Sequence, residues 1–296
     1  LGKWDAVEPS VILQAIEAVN RGEVNSALYL VGLLGMVYRW GKHPKFPPSL
    51  RAQLETCVSN FTGWGADPEV ASESDLILLP AAEVLAGQLY HYRFFVPSEQ
   101  SGRWHQERGE RLVLEWLRRR GAGGFAEWDS SPAFEAELVA LSHLVDLSEN
   151  ETICEMVTVI MDKLLLTMAF NTYHGIFGAT QGATDVTGIK GGLLAPTAGI
   201  TRLLWGEGIF NHHLAGAVSL ACMEDYEVLP LAPDIALTHT DEFWNRESHR
   251  VAAGEVVNKV TYRTPDYMLA SAQDYCPGAP GEREHIWQAT DRKSVV

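Results

Sequence analysis

From Pro9 to Met223, apolar residues of this 296-residue chain return at three- and four-residue steps, in one segment after another. That spacing puts them on one face of an α-helix. Each apolar stripe must be buried against another element, so a chain that repeats it this often has to pair its helices. Ile12, Ala15, Ile16 and Val19 follow Pro9-Ser10, a good helix opening, and residues 25 to 40 are apolar on most sides, as a central helix would be. Pro47-Pro48-Ser49 opens a segment carrying Leu50, Leu54 and Cys57 that ends near Gly63. A fourth runs from about Asp75 to Tyr90, with Ser72 placed to cap it and Pro80 inside, where a proline either kinks a helix or starts one.

Leu112, Val113, Trp116 and Leu117 mark a fifth helix, stopped by glycines 121, 123 and 124. Phe134, Leu138, Leu141 and Val145 mark a sixth, opened by Ser130-Ser131-Pro132. Ile153, Met156, Val157, Ile160, Leu164 and Met168 mark a seventh with wide apolar flanks. Residues 171 to 192 are rich in Gly and Thr and read as a long loop, after which helical spacing resumes over 196–205 and 212–223. Successive helices on modest loops pack antiparallel. Hairpins repeated this often either stack openly or close into a ring. They share no fixed consensus, which disfavours helical-repeat families. The expectation is a mainly α fold, an (α/α) toroid over residues 1–245.

After residue 245 the pattern changes. Val256 to Tyr262 is rich in β-branched residues, Tyr267-Met268-Leu269 follows a Thr-Pro-Asp turn, and Glu284 to Thr290 alternates. Residues 246–290 therefore read as the first strands of a β domain, cut short. Residues 291–296 read as a non-native tail: the codons GAT-CGG-AAG-AGC-GTC-GTG, common in sequencing-adapter reads, translate to the same hexapeptide.

A net charge of -15 speaks against sequence-independent binding to nucleic acid, which needs basic clusters. The one basic run, Arg118-Arg119-Arg120, suits a helix C-terminus. Cys57, Cys154, Cys222 and Cys276 form no CxxC pair, so a reducing, cytoplasmic setting is the simpler prior; with Leu at position 1, a signal segment cannot be judged. No apolar run suits a bilayer span. No metal or cofactor motif stands out, and the adjacent His212 and His213 point in different helix directions.

Three segments could carry chemistry. Gly124 to Ser130 sets Glu127 and Asp129 beside Trp128, a ring of the kind sugars stack on; the alternative is a capping turn with Asp129 or Ser130 accepting backbone N–H bonds. The two carboxylates are too close in sequence to be assumed opposite each other across a sugar. Asn171 to Gly178 brings Tyr173 and His174 beside an amide, a set able to abstract a proton alpha to a carboxylate, or else a polar helix end with a buried tyrosine. Ser72-Glu73-Ser74-Asp75 is an acidic helix start that could supply Glu73 or Asp75 as a base, although capping is its ordinary role.

On Leu85 to Tyr90, Gly124 to Ser130, Ala169 to Gly178 and Tyr262 to Tyr267, the chain resembles a bacterial family related in fold to the heparinase II/III-like and alginate-lyase-like (α/α) toroids. The resemblance implies a toroid followed by a β-sandwich, here truncated, with Asn171, Tyr173 and His174 lining the cleft of a polysaccharide lyase. Thr180-Gln181-Gly182-Ala183 departs from the family's Thr-His-Gly-Arg, and Ser72-Glu73-Ser74-Asp75 from its Ser-Glu-Asn-His. The expectation is an enzyme acting on an oligo- or polysaccharide, foremost a lyase of uronate-containing glycan. Tyr173 and His174 would be acid and base, Asn171 or Gln181 would bind the uronate, and Trp128 would stack. Rival expectations are a hydrolase using Glu127 or Asp129 as acid with Glu73 or Asp75 as base, and a non-catalytic glycan-binding or scaffold protein.

Overall fold

The computed structural model describes residues 7–65, 73–178, 180–184, 186–238, 241–251, 256–273 and 284–291. The cap-like Ser72, Cys276 and residues 292–296 lie outside them, whereas Asp291 closes the last strand. Among the described residues the chain is mainly helical, with a small antiparallel sheet in its C-terminal part. Two compact units divide it: residues 1–116 with 139–155, and residues 117–138 with 156–296.

The first unit contains α1 (Pro9–Arg21), α2 (Ser26–Trp40), α3 (Pro48–Asn60), α4 (Asp75–Leu89) and the short strands β1 (Phe94–Phe95) and β2 (Gln100–Ser101). It also takes part of α5 (Gly102–Gly123), α6 (Ser131–Leu147) and α7 (Glu151–Phe170). Local chemistry sets the ends. Pro9 opens α1 with its φ already helical, and Gly22 closes it at φ +65, its N–H and that of Glu23 reaching the Val19 and Ala18 carbonyls. Pro80 sits inside α4, which neither starts nor stops there. A Cβ on Gly109 would lie 2.8 Å from the Pro80 carbonyl oxygen, so α5 approaches the proline turn at a residue without a side chain. Within this unit α2 packs on α1 and α4, Arg39 pairs with Asp146 at 2.7 Å, and the Gln88 amide bonds the Leu147 carbonyl at 2.9 Å, the last residue of α6.

The second unit holds β3 (Thr172–Tyr173), β4 (Ile176–Phe177), α8 (Val186–Lys190), α9 (Ala198–Trp205), α10 (Ala215–Ala221) and α11 (Leu231–Ala236). Its sheet runs β5 (Phe243–Arg250), β6 (Val256–Arg263), β7 (Tyr267–Gln273) and β8 (Trp287–Asp291), each strand antiparallel to the next. The stretch read as one long loop at 171–192 instead folds into the β3–β4 hairpin, α8 and a 3-10 turn at Gly192–Leu194. β5 begins at Phe243, so the expected boundary at 245/246 falls inside a strand.

Strand periodicity decides what the sheet presents to its own unit. Val257, Lys259, Thr261 and Arg263 on β6 share one face and are buried, as are Met268, Ala270 and Ala272 on β7. Two of these inward residues are cations, which is uncommon in a sheet interior unless their charges are matched.

Candidate functional site

Gly124 ends α5 at φ +76, and a Cβ there would lie 2.7 Å from the Nδ1 of His249, so both the backbone angle and the close approach require glycine. The chain then turns through Phe125, Ala126, Glu127 and Trp128 to Asp129, which takes the left-handed conformation at φ +50. Ser130 caps α6, its Oγ accepting the Ala133 N–H at 3.4 Å. Of the two capping candidates, Ser130 caps. The Asp129 carboxylate instead receives the Lys259 ammonium.

Lys259 is held between two carboxylates. One is Asp129. The other is Glu247, opposite it in the β5–β6 register, at 2.8 Å. Glu247 Oε2 also accepts the Asn171 amide at 2.6 Å and the Asn245 amide at 2.8 Å. The remaining capacity of Asn171 is spent as well: its Nδ2 donates to the Thr167 carbonyl at 2.9 Å and its Oδ1 accepts from Thr261 Oγ1 at 2.6 Å. This one side chain ties the end of α7 to β5 and β6. His249 Nδ1 accepts the Phe125 N–H at 3.2 Å, so the neutral ring carries its proton on Nε2, 4.0 Å from Glu247 Oε1.

The charges divide unevenly. Burial, with Glu247 adding to it, pushes the Asp129 carboxyl up to about 7 against the pull of Lys259. Burial also works on Glu247, but Lys259, His249 and the Asn171 amide outweigh it and bring that carboxyl down to about 2. Burial takes His249 down to about 4, with Lys259 adding to the effect. One lysine thus serves a permanent carboxylate and a second acid that ionises near neutrality. Asp129 Oδ1 and His249 Nε2 are buried with no hydrogen-bond partner among the described residues.

Beside this cluster, residues 171–178 form a two-residue hairpin. His174 and Gly175 at its tip both have positive φ, +46 and +77, as a turn matching the strand twist demands. Tyr173 is 2% exposed, its hydroxyl donating to the Pro265 carbonyl at 3.1 Å and its ring edge-on to His174 at 4.5 Å. The His174 side chain is 28% exposed, with Nδ1 3.4 Å from Oε1 of Glu207, itself 27% exposed. Below the hairpin Arg263 donates to the Thr172, Ala169 and Ile235 carbonyls, gathering the end of α7 and the start of β3, while burial lowers its guanidinium to about 10.

The expected site residues therefore separate. Asp129 and Asn171 meet in the cluster. Trp128 is 1% exposed, packed against Val257 and Ala272, and presents no face to solvent. Gln181 is 2% exposed, its backbone bridging to His285 and its amide bonding the Gly178 carbonyl at 3.0 Å. Glu127 is half-buried, and a Cβ on Gly182 would lie 3.0 Å from its Cα, so residues 178–182 run alongside the 127–129 turn. Glu73 and Asp75 are half-buried at the start of α4 in the first unit, where Ser74 offers its carbonyl to the Ile77 and Leu78 N–H groups.

Lys259, Glu247, His249 and Glu207 escaped sequence reading. The signal for Lys259 was its strand parity: it alternates in step with Val257 and Thr261, which turned out to be the buried set. Nothing local marks Glu207. Among the described residues, no group of three or more His, Cys, Asp or Glu side chains is placed to hold a metal, and no helix is long and apolar enough to cross a membrane. The chain matched no family model, no curated protein and no solved structure.

Proposed function

We propose that this chain is a carbohydrate-active enzyme, a lyase acting on uronate-containing glycan, with His174 as its proton-transfer group and Glu207 orienting it. The observation that carries this reading is the His174–Glu207 pair, 3.4 Å apart, with both side chains partly open to solvent. The polar groups around it, Asn171, Asp129 and Lys259, are closed in and committed to one another. A carboxylate beside Nδ1 favours the tautomer whose Nε2 takes a proton, and that nitrogen, itself buried in this structure, has to be uncovered for substrate to reach it. Removing the proton alpha to a uronate carboxylate needs such a base, and Tyr173, edge-on to the same ring, would protonate the leaving oxygen if its hydroxyl exchanged the Pro265 carbonyl for substrate. Asn171 and Asp129 then act as positioning residues rather than as groups on the sugar, and Gln181 and Trp128 support the loop.

The finer fold reading, an (α/α) toroid with the sheet opening a β-sandwich, belongs to the same proposal. It is supported by the helices on short connections within the first unit and by the strand meander that follows them.

The test is incubation of the full chain with a panel of uronate polymers, following the absorbance of unsaturated uronide. Activity that falls at least a hundredfold in His174→Ala is the expected result. Reducing sugar released without that chromophore would replace the lyase by a hydrolase. A folded protein inert on the panel would favour a non-catalytic glycan binder.

A further inference from the structure

The first unit contains a second constellation of reactive groups, unrelated to the glycan reading. Ser98 lies on the turn joining β1 to β2, and its Oγ is 2.7 Å from His105 Nε2 on α5. His105 Nδ1 is 3.2 Å from Glu83 Oε1 on α4. A carboxylate can only accept, so Nδ1 carries the ring proton. Nε2 then offers its lone pair, and the Ser98 hydroxyl, 2.7 Å from it and 3.3 Å from the Phe95 carbonyl, donates to the nearer ring nitrogen. That is the arrangement a serine needs to become a nucleophile: a base in the right tautomer, oriented by a third, buried group.

The supporting shell is rigid. Glu83 is 1% exposed and both its oxygens are held by Arg108 Nη1, at 2.6 and 2.7 Å. His105 is fully buried, its ring against Phe95 at 4.7 Å, Trp104 at 5.0 Å and Trp64 at 5.4 Å. Ser98 is only half-buried, next to Glu99 at φ +54, a left-handed residue that sharpens the turn. The backbone N–H of Ser98 has no acceptor among the described residues and is available to the carbonyl oxygen of an ester attacked by Oγ. Phe94 and Val96, 58% and 57% exposed, add apolar surface to the same hairpin, with the exposed Glu99 next to the serine.

We propose that Ser98, His105 and Glu83 form an acyl-transfer site for small carboxylic esters. Ser98 Oγ attacks the ester carbonyl carbon while its proton passes to His105 Nε2. The bond to the alcohol oxygen breaks, and the alcohol leaves with that proton. Water then attacks the acyl-serine with the same base, releasing the carboxylic acid and restoring the hydroxyl. Arg108 shares the Glu83 carboxylate and so weakens its hold on the imidazolium, which makes turnover slow and covalent capture the better readout.

The experiment treats the full chain with a fluorophosphonate and maps the adduct by mass spectrometry, with p-nitrophenyl acetate hydrolysis in parallel. The expected result is one adduct, on Ser98, absent in Ser98→Ala and reduced at least tenfold in His105→Gln, with hydrolysis following the same order. Because His105→Gln alters a buried group, Ser98→Cys gives a second reading. With His105 as base, the introduced thiol reacts with iodoacetamide at pH 6.5 at least tenfold faster than a free cysteine peptide. No adduct on Ser98 overturns the proposal. So does an adduct that persists in folded His105→Gln, or an introduced thiol no faster than the peptide.

Discussion

Substituting Asp129 by Asn gives the sharpest test of the buried cluster. The side chain keeps its shape but can no longer ionise, so the variant lacks whatever pH dependence Asp129 confers on stability. Asp129 is 1% exposed and its carboxyl sits at about 7, raised from 3.8. A carboxyl raised in the folded state stabilises fully below the unfolded value, and that stability is lost as pH rises through the folded value. Between pH 4.5 and 8 the unfolded chain is mostly ionised at this position while the folded chain ionises only late in the range. Summing the two titrations gives a loss of about 3 kcal/mol across that window. Other buried groups titrate there too. Glu135, raised by burial to about 7, adds to the decline, whereas His143 and His249, lowered to about 4, oppose it. The raw curve of the parent protein is therefore ambiguous, and the difference between parent and variant is the quantity to read. Urea unfolding at pH 4.5, 5.5, 6.5 and 8 should show Asp129→Asn gaining on the parent by about 3 kcal/mol as pH rises. A difference that is flat, or that moves the other way, would refute the assignment of a near-neutral acid to Asp129 and would mean that Lys259 holds it ionised throughout.

Two further substitutions follow from the same unit. Lys259→Met strands Asp129 and Glu247 without their cation and should cost about 3–5 kcal/mol in urea unfolding at pH 7; the double variant with Glu247→Gln should recover part of this, and a single variant as stable as the parent would disprove the pairing. Gly175→Ala places a methyl 2.2 Å from the Gly208 nitrogen at a backbone φ of +77 and should destabilise by roughly 3 kcal/mol, with a loss below 1 kcal/mol counting against the hairpin geometry.

The helices were readable because their signals are local. Pro9, Pro48 and Ser130 open α1, α3 and α6, and the apolar stripes between them have the helical period. The strands after residue 255 were readable from β-branched alternation. The β3–β4 hairpin was not, since strands of two residues are too short to show a period and a His-Gly tip is a weaker turn signal than Asn-Gly. α11 is one and a half turns of Leu-Ala-Pro-Asp-Ile-Ala, and its proline speaks against a helix unless it lies in the first turn, as it does here. Asn171 and Asp129 do meet in one cluster, yet whether an amide faces solvent or a buried ion pair depends on Glu247 and Lys259, the latter some ninety residues beyond Asn171 on β6. That partner is invisible until the sheet is in place.

Asn171 has a mechanical consequence. Its amide grips a turn of α7, Glu247 on β5 and Thr261 on β6 at the same time, so the helix end and the sheet cannot loosen one after the other without leaving the Asn171 amide and the Thr261 hydroxyl unpaired. A polypeptide ended between Asn245 and Arg246 would keep every residue of α7 but leave Asp129 and Asn171 facing a void where Lys259 and Thr261 belong. The end of α7, the turn at Asp129 and the strands β5 and β6 therefore hold together as one piece, and neither side of that cut is a portable module.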